Sequence, residues 1–122
     1  MPTYTPGKSK AIPVLPSKDP DSVSVPYYVV LYGNLPGDTT SPAATFLPSG
    51  TTITSGDFVI TGDSTLTLLT KTVSTTYAVG YFSGGTAGKT ATITFRFVSN
   101  LSNGAGGYYS DDVSFKLPIR NQ

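Results

Sequence analysis

Glycine and proline are spread along the whole of this 122-residue chain, and they constrain its fold more than any other feature. The sequence contains 13 Gly and 10 Pro, which separate short apolar runs rich in Ser and Thr. Glycine favours turns and proline removes a backbone donor, so both interrupt helices. Short apolar runs between such residues are typical of strands. The sequence therefore predicts an all-β protein, and its length suits one domain.

Two runs near the end of the chain alternate strictly between apolar and polar residues. The apolar positions are Ala91, Ile93, Phe95 and Phe97 in Thr90–Val98, and Val113, Phe115, Leu117 and Ile119 in Asp112–Arg120. A period of two places such side chains on one face, towards a core. The turn-forming loop between the runs predicts an antiparallel hairpin. Pro118 is predicted to face outward and lacks a donor, so its end of the last strand should lie at a sheet edge or leave the sheet.

Further strand candidates precede this hairpin at regular spacing. They are Tyr27–Tyr32, Ala44–Leu47, Thr51–Thr54, Phe58–Thr61, Ser64–Lys71 and Thr75–Phe82. The residues Ser55-Gly56-Asp57 indicate a turn between two of them, and Leu69 breaks the alternation of another. About seven short strands in one domain are typical of an immunoglobulin-like β-sandwich, with a jelly roll as the alternative.

The first 24 residues have a different composition. Five prolines fall within the first twenty positions, at Pro2, Pro6, Pro13, Pro16 and Pro20. Proline fixes its own φ and biases its predecessor towards extended geometry, which excludes a regular helix. We therefore predict an extended N-terminal arm, residues 1–24, carrying Lys8, Lys10 and Lys18, followed by a β-sandwich domain, residues 25–122.

Ordering such an arm is expensive in conformational entropy. Fixing about 20 residues costs roughly 20–40 kcal/mol, which needs roughly 800–1,600 Å² of buried apolar surface to offset it. Ile12, Val14 and Leu15 are the main apolar residues of the arm, and they provide little area on one domain. The sequence therefore predicts that neighbouring protein chains hold the arm, with Lys8 and Lys10 as further contact residues.

The composition also argues against several classes of function. The chain has no His, Cys or Trp, and all seven acidic residues are Asp, so the usual general base, thiol nucleophile and zinc ligands are missing. We expect no enzyme, no cofactor and no metal site. The net charge of +1 predicts no nucleic-acid partner. No apolar run approaches the roughly 20 residues of a membrane span, and the N-terminus lacks the apolar core of a signal peptide, which indicates synthesis in the cytoplasm.

Several residues remain open to two interpretations. The pairs Asp19/Asp21 and Asp111/Asp112 are calcium ligands or, with better support, an Asx turn and a strand start. The glycine-rich loops at 84–88 and 104–107 are best explained as turns, because neither precedes a helix. Tyr27, Tyr28, Tyr108 and Tyr109 either form a binding surface or fill the core. Arg96 is a solvated residue or an ion-pair partner for a neighbouring subunit.

Four segments resemble small virion proteins of tailed bacteriophages. They are SKDPDSV (Ser17–Val23), GTTITSG (Gly50–Gly56), FSGGTAGKTATITFRF (Phe82–Phe97) and SFKLPIRNQ (Ser114–Gln122). Those proteins are immunoglobulin-like or related β-sandwiches that decorate or cement the head. The resemblance covers residues 17–122 and implies no catalytic residues.

This resemblance, together with the arm, predicts a capsid decoration or cement protein located in the virion. Its expected partners are the major capsid protein and copies of itself, with a homotrimer as one compatible assembly. Bridging subunits multiplies weak contacts through effective concentration. The candidate contact residues are Lys8, Lys10, Ile12, Val14, Leu15, Tyr108 and Tyr109. The alternatives are a protein of the tail or head–tail junction, and a carbohydrate-binding or adhesion module that uses the tyrosines.

Overall fold

The fold was determined as a computed structural model, which describes residues 3–4, 15, 17–35, 44–47, 49–102, 104 and 106–121. In these residues all regular structure is β, which confirms the predicted class. The strands are β1 (Thr3–Tyr4), β2 (Val25–Val30), β3 (Tyr32–Gly33), β4 (Ala44–Thr45), β5 (Ile53–Thr61), β6 (Leu66–Val73), β7 (Tyr77–Gly84), β8 (Thr90–Ser102) and β9 (Tyr108–Pro118). The described residues include no helix long and apolar enough to cross a membrane.

The strands form two main sheets that pack against each other. One has the order β1-β2-β7-β6 and the other β5-β8-β9, while β3 and β4 form a separate short pair. All pairings between these strands are antiparallel except that of β1 with β2. Aromatic side chains join the sheets: the ring of Tyr27 lies 6.1 Å from that of Phe115, and the ring of Phe58 lies 5.8 Å from that of Phe82. One apolar core therefore fills the space between the sheets.

The predicted C-terminal hairpin is confirmed. β8 pairs with β9 in a register that places Ile93 opposite Phe115, and all eight predicted apolar positions are buried. The hairpin is longer than expected, because β8 continues to Ser102 and β9 begins at Tyr108. β9 is an edge strand, as Pro118 requires, although the Pro118 side chain is itself buried.

The predicted turn at Ser55-Gly56-Asp57 is wrong, because these residues lie inside the continuous strand β5. Gly56 pairs with Phe97, and a Cβ atom at Gly56 would lie 2.5 Å from Cζ of Phe95. The glycine therefore makes room for a buried aromatic ring rather than for a chain reversal. The pairing of β5 with β8 is irregular only near the start of β5, where the register shifts between Ile53 and Ser55.

The other strand predictions differ from the structure mainly at their ends. Tyr27–Tyr32 is divided into β2 and β3 at the buried Leu31, and the last predicted strand begins earlier than expected. The break at Leu69 is confirmed, since the pairing of β6 with β7 is irregular between Leu68 and Thr70. The Leu69 side chain is 53% exposed, so the bulge turns an apolar residue towards solvent.

The contact between Gly56 and Phe95 predicts a large effect of a small substitution. Gly56→Ala should lower the free energy of unfolding by about 1–3 kcal/mol, because Phe95 is fully buried and its ring must move into well-packed neighbours. Urea denaturation measures this loss. Ser55→Ala, at the neighbouring exposed position, is the matched control and should stay within about 0.5 kcal/mol of the unmodified protein. Equal stability of both variants would contradict the close approach of Phe95 to Gly56.

Candidate functional site

The end of the N-terminal arm is bound along the edge of β9. The amide of Leu15 donates to the carbonyl of Lys116, and the amide of Lys18 donates to that of Pro118, both at 2.9 Å. Arg120 returns a hydrogen bond of 2.9 Å from its amide to the carbonyl of Lys18. This parallel pairing satisfies backbone groups that an edge strand otherwise leaves to solvent. We call residues Leu15 and Ser17–Lys18 the arm anchor.

The side chain of Lys18 fixes the arm anchor to the domain. Lys18 is only 2% exposed, and its ammonium donates to the carbonyls of Asp19 at 2.8 Å, Ser22 at 2.7 Å and Gly84 at 2.8 Å. An ammonium has three donors, and each has an acceptor here. Gly84 has φ +80°, and a Cβ on it would lie 2.6 Å from the carbonyl oxygen of Thr65. A glycine is therefore needed where this acceptor is presented.

Burial lowers the pKa of Lys18, because the charged form loses its hydration, while the nearby carboxylates of Asp19 and Asp21 act in the opposite direction.

The predicted turn at Asp19-Pro20-Asp21 is confirmed. The amide of Asp21 donates to the Asp19 carboxylate at 2.8 Å, and the amide of Ser22 donates to the Asp19 carbonyl at 3.1 Å. This Asx turn brings the two carbonyls of residues 19 and 22 to the Lys18 ammonium.

A second buried polar group, Asp63, joins two loops at the same end of the sheets. Its Oδ2 accepts the amide of Thr86 at 2.7 Å, and its Oδ1 accepts the amide of Thr65 at 3.1 Å. The hydroxyls of Thr65 and Thr86 also donate to Oδ1, at 2.8 Å and 3.3 Å. Asp63 thus connects the β5–β6 loop with the glycine-rich β7–β8 loop. Gly84, Gly85 and Gly88 of this loop have positive φ values, and the loop leads into strand β8, so the turn interpretation is supported over a phosphate site.

The pKa of Asp63 lies below its ordinary value. Burial acts to raise the pKa, but the hydrogen bonds from Thr86 and Thr65 to the ionised carboxylate outweigh it. The carboxylate therefore stabilises the fold in its charged form.

The exposed apolar residues of the β8–β9 hairpin collect at its turn. Tyr108 is 60% exposed, Leu101 41% and Tyr109 36%. We call these three residues the hairpin tip. Ser99 is the last residue of β8 that pairs with β5, and Ser102 pairs with Tyr108, so Leu101 and Tyr108 lie beyond the end of that neighbouring strand. A cluster of exposed Tyr and Leu side chains on a projecting turn is suited to contact with another molecule.

The tyrosine hydroxyl at the hairpin tip is bound by a carboxylate. Tyr109 donates its hydroxyl to Asp111, and this hydrogen bond, together with burial, raises the pKa of Tyr109 to about 12. An open groove of about 400 Å³ lies beside this carboxylate. It is lined by Arg96, Phe97, Val98, Ser110, Asp111 and Asp112. Its mixture of one cation, two carboxylates and short side chains can form polar contacts with a protein surface.

The two aspartates of this groove lie inside β9, not at its start as expected. Successive residues of a strand point to opposite faces, so Asp111 and Asp112 do not face a single ion together. Within the described ranges there is no group of three or more His, Cys, Asp or Glu residues able to hold a metal.

The remaining predicted contact residues divide into two groups. Lys8, Lys10, Ile12 and Val14 lie outside the described residues. Leu15 is half-buried and packs against the core of its own domain.

The four tyrosines do not form one surface. Tyr27 is buried in the main core, where burial raises its pKa to about 12. Tyr28 packs with a second small cluster that contains Val30 and Leu35. Only Tyr108 and Tyr109, of these four, are exposed on the hairpin. Burial thus explains Tyr27, while the binding interpretation remains for the pair at the hairpin tip.

The roles of two structurally important residues, Lys18 and Asp63, were not predicted from the sequence. Lys18 was interpreted as one of three basic residues of the arm, and no pattern around it predicts burial. Asp63 was not selected either, although its spacing to Thr65 is typical of an Asx motif and indicates a side-chain acceptor.

Comparisons with family models, with curated proteins and with solved structures found no match for this chain.

Removing the buried ammonium should destabilise the domain. We expect Lys18→Met to lower the free energy of unfolding by about 2–4 kcal/mol, because three carbonyls lose a charged donor. Lys89→Met, at an exposed lysine in the β7–β8 loop, is the control for loss of one positive charge. Chemical denaturation compares the two variants. A Lys18→Met protein as stable as the Lys89→Met protein would rule out the role given to the ammonium.

The lowered pKa of Asp63 predicts a specific dependence on acid. The stabilisation is complete above the unfolded pKa of about 3.9 and is lost as the pH falls through the lower folded value. The stability difference between the unmodified protein and Asp63→Asn should therefore be largest near neutral pH and shrink towards about pH 2.

Urea unfolding at several pH values measures this difference, and Asp112→Asn controls for removal of one exposed carboxylate. A constant difference between the unmodified protein and Asp63→Asn across the acid range would refute the assignment.

Proposed function

We propose that this chain is a structural protein of a tailed-bacteriophage particle that decorates or cements the capsid shell. The observation that carries the proposal is the hairpin tip, where Tyr108, Tyr109 and Leu101 are exposed near the turn of the β8–β9 hairpin. Tyrosine is enriched at protein interfaces, because it provides a large apolar body and a polar end at low entropic cost. The resemblance of the four segments supplies the phage context.

The rest of the described domain is consistent with a scaffold that presents this tip. The core is filled from both sheets, and the loops at the opposite end of β8 and β9 are tied by Asp63 and Lys18. A rigid support reduces the entropy lost when a small interface forms. A protein present in many copies on one shell needs little affinity per contact, because neighbouring contacts act together.

The order of the strands supports an immunoglobulin-like topology as part of the same proposal. In that fold one sheet contains strands B, E and D and the other contains C, F and G. β2, β7 and β6 have the neighbours expected of B, E and D, and β5, β8 and β9 have those expected of C, F and G. In this assignment the hairpin tip is the F–G turn, a position that immunoglobulin domains use for binding.

The role of the arm in this proposal differs from the initial expectation. Its described end is bound to β9 of the same chain and stabilises the domain from which the hairpin tip projects. Contact with the shell is therefore assigned first to Tyr108 and Tyr109. Lys8, Lys10, Ile12 and Val14 remain candidates for contacts with the major capsid protein.

The proposal predicts where the chain is found in particles of the phage whose genome encodes it. An electron-microscopy map should place it on the outer shell, at a copy number comparable to that of the major capsid protein. If the map instead places the chain at the tail or the head–tail junction, at a copy number set by ring symmetry, the proposal is wrong. The chain is then a protein of the tail or of that junction.

Binding to shells that lack the protein tests the hairpin tip directly. Tyr108→Ala combined with Leu101→Ala should weaken binding at least about tenfold, as expected for interface anchors. Leu69→Ala, an equally exposed apolar position on β6, is the matched control and should bind normally. Unchanged shell binding by the tip variant, accompanied by loss of binding to a glycan array, would favour the carbohydrate-binding alternative.

A further inference from the structure

The outward side of the sheet β5-β8-β9 carries mainly short side chains. Its positions form four rows across the three strands: Ser55–Val98–Ser110, Asp57–Arg96–Asp112, Val59–Thr94–Ser114 and Thr61–Thr92–Lys116. We call these twelve residues the outer face. The third row, which lies between the rows of Asp112 and Lys116, is called the central row. It contains only Val, Thr and Ser, so a second sheet can approach it closely.

The charged residues of the outer face differ in whether they have an ion-pair partner. Asp57 is bound by Lys71 of β6 at 3.0 Å, which neutralises it. Arg96, Asp112 and Lys116 are exposed, and none of the three forms a salt bridge with another described residue. Asp112 and Lys116 lie two rows apart on β9, with Ser114 between them. Along β9, the outer face therefore has one acidic position, Asp112, and one basic position, Lys116, at equal distances from the row that contains Ser114.

This arrangement is complementary to itself. A twofold axis along the central row reverses the strand direction and places Ser114 over Ser114 of a second copy. The same rotation places Asp112 over Lys116 of the second copy, and Lys116 over Asp112. The two positions are about 13 Å apart along the strand, so both pairs form at once. In a twofold dimer each favourable contact occurs twice.

We propose that the outer face is an interface between two copies of this chain, in which Asp112 of each copy pairs with Lys116 of the other. The proposal does not depend on the proposed virion function. It gives Asp112 and Lys116 each an ion-pair partner, which no described residue of their own chain provides. Arg96, in the same row as Asp112, lies opposite Thr92 of the second copy, where its guanidinium has a hydroxyl acceptor in reach.

The size of the outer face limits the strength of this dimer. Three strands about 4.8 Å apart and four outward positions per strand define a patch of roughly 15 by 25 Å. Roughly 400 Å² on each copy is about half of the area that stable interfaces bury per partner. The dimer should therefore be weak in dilute solution, and favoured where many copies are held close together.

Analytical ultracentrifugation of the full chain from about 10 µM to about 1 mM tests the proposal. At low ionic strength we expect a monomer–dimer equilibrium that weakens at about 0.5 M salt, because exposed ion pairs are screened. Asp112→Lys and Lys116→Asp should each weaken dimerisation at least tenfold, since like charges then face each other twice.

Two further samples separate this interface from a general effect of charge. An equimolar mixture of Asp112→Lys and Lys116→Asp should dimerise again, because each copy then offers the charges that the other lacks. The double variant within one chain should do the same. Lys89→Asp, an exposed position off the outer face, makes the same charge change as Lys116→Asp and should leave dimerisation unchanged.

Three results would overturn the proposal. One is an unmodified protein that stays monomeric at about 1 mM and low salt. Another is a mixture of folded single variants that does not regain the dimer. The third is an assembly of three copies, which a twofold interface does not produce.

Discussion

The pairing of β8 with β9 is the interaction on which the rest of the described structure depends. Its inner face provides Phe95, Phe97 and Phe115 to the core, and its edge binds the arm anchor. Its turn presents Tyr108 and Tyr109, and its outward side forms most of the outer face. The core, the arm anchor, the exposed turn and the outer face each involve different side chains or backbone groups of these two strands. The strict alternation of the sequence makes that division possible, because a strand presents successive residues to opposite sides.

The edge of β9 is covered by the end of the N-terminal arm. An uncovered edge offers unpaired donors and acceptors to any other chain. Here Leu15 and Lys18 bind the backbone near Pro118, and the buried ammonium of Lys18 adds three charged hydrogen bonds. Apolar contacts alone would need a large buried area to offset the entropy lost when the arm is ordered. Backbone pairing and a buried lysine contribute without much apolar surface, which is why the end of the arm is ordered on its own domain.

The sequence predicted the parts of the fold that depend on local pattern. The class, the C-terminal hairpin, its inward residues, the break at Leu69 and the edge position of Pro118 follow from alternation and from the properties of proline. The turn at Gly56 was wrong, because a glycine required by the close approach of Phe95 cannot be distinguished locally from a glycine required by a turn. The inward-facing ring belongs to another strand, and its position is a property of the tertiary structure.

The candidate sites were less predictable for the same reason. The exposed pair Tyr108 and Tyr109 was selected from sequence, but so was Tyr27, which is buried. Whether a tyrosine faces the core or solvent depends on where its strand starts, and boundaries are the weakest part of a pattern-based prediction. Lys18 has no local signal at all, since its acceptors include Gly84, which is 66 residues away in the chain. The outer face required the register of three strands before its charges could be compared.

The central claim is that the end of the arm belongs to the fold of its own domain and is bound there by β9. Hydrogen exchange of the isolated protein, measured by NMR at monomeric concentrations, tests this most directly. The amides of Lys18 and Arg120 donate to Pro118 and Lys18 respectively, so they should exchange as slowly as amides in the pairing of β8 with β9, independently of protein concentration. Exchange of these two amides at the rate of an unfolded chain, with the hairpin still protected, would contradict the account.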